Sequence, residues 1–151
     1  MRLAVCFGLA FLLTWTGSAS AQPAPIKIGL IYSYTGGSLN GGRIVDAAIE
    51  TYMRQHGDTI AGRKVVIIKR DDTGLAPDVA RRIAQELIVQ EHVDLLIGTV
   101  LTPNASAVAG VSTAAKKPFF VMNSATSGII AKHPYTARFG FTTPQITAPL
   151  A

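Results

Sequence analysis

The chain has 151 residues, a formal net charge of +5 and 48% hydrophobic residues, enough for one domain with its own core. The positive residues are scattered in short pairs, Arg63-Lys64, Lys69-Arg70, Arg81-Arg82 and Lys116-Lys117; without a clustered basic face and interleaved aromatics, nucleic acid is not expected as a partner. Cys6 is the only cysteine, so a disulfide framework and a cysteine metal site are both excluded.

The first residues read as a leader. Met1-Arg2 gives a short positive start, Leu3 to Trp15 an uncharged apolar run, and Ala19-Ser20-Ala21 a small-residue cleavage site. That order is the layout of a secretory signal. The apolar run is shorter than the roughly 20 residues that span a bilayer. Cys6 sits inside the run rather than after it, which argues against a lipoprotein. Residues 1–21 are therefore expected to be a removable signal peptide, and residues 22–151 a mature domain that begins at Gln22.

Beyond Pro25 strands and helices alternate. Ile26 to Tyr32 is a nearly continuous apolar run, the signature of a parallel strand covered on both faces. A Gly-rich turn is expected from Thr35 to Gly42, then a helix through Ile44-Val45, Ala48-Ile49 and Tyr52-Met53 that ends near Gly57. Ala61-Gly62 reads as a turn, Val65 to Ile68 as a second strand, and Asp71 to Gly74 as its end. Pro77 fits the first turn of a second helix, where its missing N–H costs nothing. Val93 to Ile97 is a third strand stopped at Gly98, and Pro103 opens a third helix that ends at Lys116-Lys117-Pro118. Phe119 to Met122 is a fourth strand and Thr136 to Phe141 a fifth. This alternation predicts an α/β fold: a parallel sheet with helices on both faces, joined by right-handed crossovers.

In such sheets ligands bind beyond the carboxyl ends of the strands. Four loops qualify: Tyr32 to Gly42, Asp71 to Ala76, Thr99 to Asn104 and Asn123 to Gly128. The last two are rich in Thr, Ser and Asn, which donate and accept hydrogen bonds without carrying charge. Thr102 precedes Pro103, so it can cap the third helix or contact a ligand. Ser124 and Thr126 face the same choice before the next helix. Asn104 and Asn123 are open to a ligand contact or to ordinary loop hydrogen bonding. Asp71-Asp72 is expected to brace a turn rather than to perform acid–base chemistry. "GGSLNGGR" matches neither the dinucleotide nor the P-loop pattern. His56, His92 and His133 lack ligand spacing, and no G-x-S-x-G is present. Neither a metal nor a cofactor is expected, and no catalytic residue stands out.

Taken together, the segments resemble one family. "IKIGLIYSYTGGSLNGG" from Ile26 looks like its opening strand and Gly-rich turn. "AGRKVVIIKRDDTGLAPDVARRIAQELI", "VDLLIGTVLTPNASAV" and "KKPFFVMNSATSGI" resemble its next three units, and "PYTARFGFTTPQITAPLA" the run that leaves its first lobe. The family is that of the periplasmic solute-binding proteins for branched-chain amino acids (Leu/Ile/Val), non-enzymatic two-lobed clamshells. They capture a small solute and deliver it to the membrane subunits of an ABC importer. The resemblance implies a periplasmic, three-layer αβα first lobe in which Thr102 gives its hydroxyl to the solute's carboxylate. Ser124 and Thr126 supply the other polar contacts. Amino-acid binders often carry a Tyr where this chain has Gly41. That departure leaves room for a larger solute, an amide or an aromatic carboxylate, unless Tyr32 or Tyr34 refills the space.

Two other classes compete: the ligand-binding lobe of a sensor, and a secreted αβ enzyme. The leader without a further anchoring segment favours transport, and an enzyme would need a nucleophile–base pair or a metal cluster in the loops. The second lobe is expected to be absent, since Ala151 falls about where the first lobe hands over. Binding by these residues alone is accordingly expected to be weak or nil.

Overall fold

A computed structural model describes residues 23–150, so the leader reading of residues 1–21 and the new terminus at Gln22 lie outside it. The strands are β1 (Ile26–Tyr32), β2 (Thr59–Ile60), β3 (Arg63–Asp71), β4 (Leu95–Gly98), β5 (Phe119–Val121) and β6 (Thr136–Arg138). Between them lie helices α1 (Leu39–His56), α2 (Pro77–Val89), α3 (Thr102–Ala115) and α4 (Ile129–Lys132), and α5 (Thr143–Thr147) follows β6. The six strands form one sheet in the order β2-β3-β1-β4-β5-β6, parallel except for the short β2 edge.

The order follows from the connections. The chain steps from β1 to β3 in one direction through α1. It then returns past β1 through α2 to β4 and continues to β5 and β6. Crossovers of one hand that step in opposite directions put their helices on opposite faces of the sheet. Alternation along each strand serves the two faces separately. Ile31, Leu96, Phe119 and Val121 pack with Ala80, Ile83, Ala84 and Leu87 of α2 and Ala105, Val108 and Ala109 of α3 into one buried cluster. Each fully buried Leu, Ile or Phe there contributes roughly 1.5–3 kcal/mol. Gly29 keeps this layer thin, because a Cβ at that position would lie 2.9 Å from a Leu96 methyl.

The other face is covered less completely. Under α1 an apolar groove of about 500 Å³ opens between Ile49 and Met53 on the helix and Ile28, Val65 and Ile67 on the sheet. Further along, Leu95, Ile97 and Phe120 are only half-buried. Phe120 stacks on Phe139 at 5.2 Å, and Phe139 itself is 77% exposed.

Four expectations change. The second strand begins at Arg63 rather than Val65, because Ala61 and Gly62 both adopt positive φ (49° and 78°) and close a two-residue hairpin onto Thr59–Ile60. Positive φ at both central positions is the backbone that matches the twist of a hairpin. The Gly-rich segment is a turn only as far as Ser38; Gly41 and Gly42 already lie in the first turn of α1. Gly42 is required there by close approach, since a Cβ would sit 2.8 Å from the Ser33 carbonyl oxygen. The fifth strand stops at Arg138 instead of Phe141. The helix after β5 is a single turn whose N-cap is Gly128, so Ser124 and Thr126 do not cap it.

Candidate functional site

The order reverses between β1 and β4, so the loops that follow these two strands part at the carboxyl end of the sheet. A crevice at such a switch point is where open α/β sheets receive ligands. The loops need bracing, because their backbone groups lie outside the ladder. Two consecutive aspartates provide it. Asp72, 0% exposed, accepts from Ser33 Oγ at 2.6 Å, from Asn104 Nδ2 at 2.7 Å and from the Gly74 N–H at 3.2 Å. Asp71 accepts from the Tyr34 N–H at 2.9 Å, from Thr35 Oγ1 at 2.7 Å and from the Thr73 N–H at 2.8 Å. The first three loops are therefore tied at one point, as expected of a structural aspartate pair.

Partial burial pushes the Asp71 carboxyl up, but the Tyr34, Thr35 and Thr73 donors outweigh it and hold the carboxyl below its ordinary value of 3.8. A lowered carboxylate stabilises the fold above its unfolded pKa and loses that contribution as pH falls through its folded pKa. Asp71 is thus expected to support the fold fully above about 3.8 and to withdraw that support below it. Urea unfolding at pH 6 and pH 3 should show a smaller loss on acidification in Asp71→Asn than in the wild type; equal losses would reject this.

Loops three and four lie side by side. Gly98 (φ +124°) and Thr99 (φ +63°) turn the chain sharply at the end of β4. The carbonyls of Gly98 and Thr99 then accept the N–H groups of Met122 at 2.9 Å and Asn123 at 3.3 Å. This pairing brings the Ser124 hydroxyl to 3.1 Å from Thr102 Oγ1. Beside that pair is a depression of about 590 Å³ lined by Thr102, Ala125, Thr126, Ser127, Thr143 and Thr147. Its polar side chains are all hydroxyls, which suit an anionic or neutral polar solute.

The six residues singled out from the sequence do not all meet. Thr102 and Thr126 line the depression, and Ser124, 2% exposed, touches it through Thr102. Thr102 does not cap α3: the cap position is Leu101, which leaves the threonine hydroxyl free for the Ser124 pair. Asn123 is exposed on the same loop. Asn104 is different. It is 0% exposed, and its Nδ2 is held by Asp72 and by the Gly74 carbonyl at 2.7 Å. Its place is in the brace rather than at the surface of the cleft.

Gly41 lies in the first turn of α1, where the Tyr32 ring comes within 3.4 Å of the point a Cβ would occupy. The Tyr32 ring therefore stands in ordinary contact with the point where that side chain would begin. Tyr34 turns away to hydrogen-bond Asp46 at 3.1 Å, which also pairs with Lys69 at 2.8 Å. Burial and then the Asp46 bond raise the Tyr34 phenol above its usual range, so it stays a neutral donor. Burial and the nearby Asp72 charge do the same for Tyr32.

One residue at the site escaped the sequence reading. Arg138, at the end of β6, donates to the carbonyls of Ser124 and Thr126. It is a lone arginine on a three-residue strand, and its partners lie in a loop of irregular backbone, so no periodicity marks it.

Comparison with known proteins gives a consistent result. A profile of the family described as periplasmic binding protein matches residues 25–151. A Leu/Ile/Val-binding protein homolog of Brucella abortus is 37% identical over 144 residues, which is 95% of this chain and 37% of the relative. A solute-binding protein of an ABC transporter from Rhodopseudomonas palustris BisB5, solved with 3,4-dihydroxybenzoic acid, is 43% identical with a TM-score of 0.77 over 81% of this chain and 33% of that one. Another from R. palustris, solved with 4-hydroxybenzoate, is 38% identical with a TM-score of 0.80 over 83% and 34% of the two chains. A leucine-binding protein of Thermotoga maritima has 25% identity and a TM-score of 0.76 over 83% and 35%. The chain thus spans about a third of the length of these relatives. Among the described residues no helix is long and apolar enough to cross a membrane. The match from Pro25 onward, together with the Brucella relative, shows that this chain belongs to the periplasmic binding protein family.

Proposed function

We propose that residues 22–151 form the first lobe of a periplasmic receptor, exported on a signal peptide of residues 1–21, that presents a small carboxylate solute to the membrane subunits of an ABC importer. The observation that carries this reading is the Thr102–Ser124 hydroxyl pair, 3.1 Å apart, beside a depression that Thr102 and Thr126 line. Thr102 donates to the solute's carboxylate, and Ser124 and Thr126 complete the polar contacts. Asn123 stands at the rim.

Two features favour an aromatic carboxylate over a plain branched-chain amino acid. The R. palustris relatives at 43% and 38% identity were solved with hydroxylated benzoates. Gly41 withholds a side chain where amino-acid binders often have Tyr, and the Tyr32 ring stands beside it.

Calorimetric titration of the full-length protein tests the proposal. Binding of 4-hydroxybenzoate or 3,4-dihydroxybenzoate is expected, tighter than leucine. Thr102→Val should weaken it about tenfold or more, the scale of one hydrogen bond to a charged group. Residues 22–151 alone should bind weakly or not at all, because half a cleft loses the facing contacts and the closure. Unchanged affinity in a Thr102→Val, Thr126→Val double variant would reject this site.

A further inference from the structure

The solute contacts proposed so far do not use Arg138. Its guanidinium donates to the carbonyls of Ser124 and Thr126, with a longer contact to the Phe141 carbonyl at 3.5 Å. Its Nε is buried without a hydrogen-bond partner. Among the described residues no carboxylate pairs with it. A guanidinium is always charged and ordinarily finds a carboxylate or phosphate when it is removed from water. This one has three main-chain carbonyls instead, two of which belong to the loop that carries the proposed solute contacts.

The position is fixed by its neighbours. The Phe139 N–H continues the β5–β6 ladder to the Val121 carbonyl at 3.1 Å. Gly140 then presses against loop four, since a Cβ there would lie 2.6 Å from the Met122 carbonyl oxygen. A bulkier residue would push the β6 exit, and Arg138 with it, away from the loop.

The peptide plane turns this into chemistry. In a trans peptide the N–H points opposite to its C=O. The carbonyls of Ser124 and Thr126 point at Arg138, so the N–H groups of Ala125 and Ser127 point to the far side of the same planes. Ala125 and Ser127 both line the depression, and neither N–H has an acceptor among the described residues. A cation on a carbonyl polarises the amide and strengthens its N–H as a donor. Two N–H groups that face the same side of a loop can hold an anion between them.

We propose that Arg138 is a positioning residue that makes this loop selective for carboxylates: it holds the Ser124 and Thr126 carbonyls and leaves the polarised Ala125 and Ser127 N–H groups, together with its own unneutralised charge, for the solute's anionic end. This rests on the solute site proposed above and adds why that site prefers an anion to its neutral isostere.

The test compares 4-hydroxybenzoate with neutral 4-hydroxybenzamide, titrated into the full-length protein. The wild type should prefer the carboxylate. Arg138→Gln should lower carboxylate affinity by about tenfold or more, the scale of one charge interaction across partly buried protein, and leave amide affinity within about threefold, so that the preference collapses. Arg138→Lys, which keeps the charge but holds the carbonyls at a single point, should retain the preference while affinity for both probes falls. A Gln variant with the wild-type preference, or a Lys variant as indifferent as the Gln variant, overturns the inference while the solute site stands. Binding of neither probe by the wild type overturns the site and the inference together. Should Arg138→Gln fail to fold, the wild type supplies the reading: the Ala125 and Ser127 amide proton resonances should move further with the carboxylate than with the amide, and equal or absent shifts overturn the proposal.

Discussion

Gly98→Ala is expected to remove a large share of the stability of the fold. Two costs coincide at this position. Its φ of +124° lies where L side chains rarely go, and a Cβ would fall 2.0 Å from the Ile31 carbonyl oxygen. That oxygen is main chain of the central strand and is also bonded by the Thr99 N–H at 2.7 Å. It cannot retreat without opening the junction of β1 and β4. Strained backbone alone costs about 1–3 kcal/mol, and the steric overlap adds to it. A loss of about 4 kcal/mol or more is expected against a typical total of about 5–15 kcal/mol. Gly36→Ala is the matched control. Its φ is +68°, and a Cβ there would meet nothing within 4 Å, so it should cost only about 1 kcal/mol. Urea denaturation of both variants decides the matter. A Gly98→Ala midpoint close to that of Gly36→Ala would show that the β4 exit has slack which its geometry denies.

Asp72→Ala should cost about 3–5 kcal/mol, for a different reason. It creates little strain but strands donors. The Ser33 hydroxyl, the Asn104 amide and the Gly74 N–H all lose an acceptor inside the protein, and each stranded buried donor costs about 1–3 kcal/mol. Because the donors share one acceptor, their removal is coupled. Ser33→Ala and Asp72→Ala together should destabilise less than the sum of the two, with a coupling energy of about 0.5–3 kcal/mol. The effect should also reach the cleft, since Asn104 stands two residues after Thr102 in α3. Loosened from Asp72, the start of that helix no longer holds the Thr102 hydroxyl against Ser124. Additive variants, or an Asp72→Ala protein as stable as the wild type, would refute the brace.

Much of this architecture could be read from residue pattern. The continuous apolar runs marked β1, β3, β4 and β5, because buried parallel strands leave no polar face. Pro77 and Pro103 marked the beginnings of α2 and α3, where a missing N–H is harmless. The polar composition of loops three and four pointed to Thr102, Ser124 and Thr126, which lie together. What stayed illegible depends on contacts between segments or on backbone angles without a residue signature. The β2 hairpin was missed because Ala61 occupies a position that usually announces itself as Asn or Asp before Gly. Asn104 stayed open between a ligand contact and a loop hydrogen bond, since nothing local shows that Asp72 reaches it. The threonine before Pro103 was open to a cap or a ligand contact; the helix starts one residue early, so it does not cap, and its hydroxyl meets Ser124. Arg138 has no sequence signal, because its role exists only where the β6 exit meets loop four.

The strand order also dictates a schedule. β1, one of the two central strands, is the earliest of the described strands, yet its neighbours β3 and β4 follow only after α1 and α2. β1 therefore gains its first partner only across α1 and its second only across α2, and closing such distant pairs is slow. Such a polypeptide lingers in an open state, threadable for a time and vulnerable to clumping for as long.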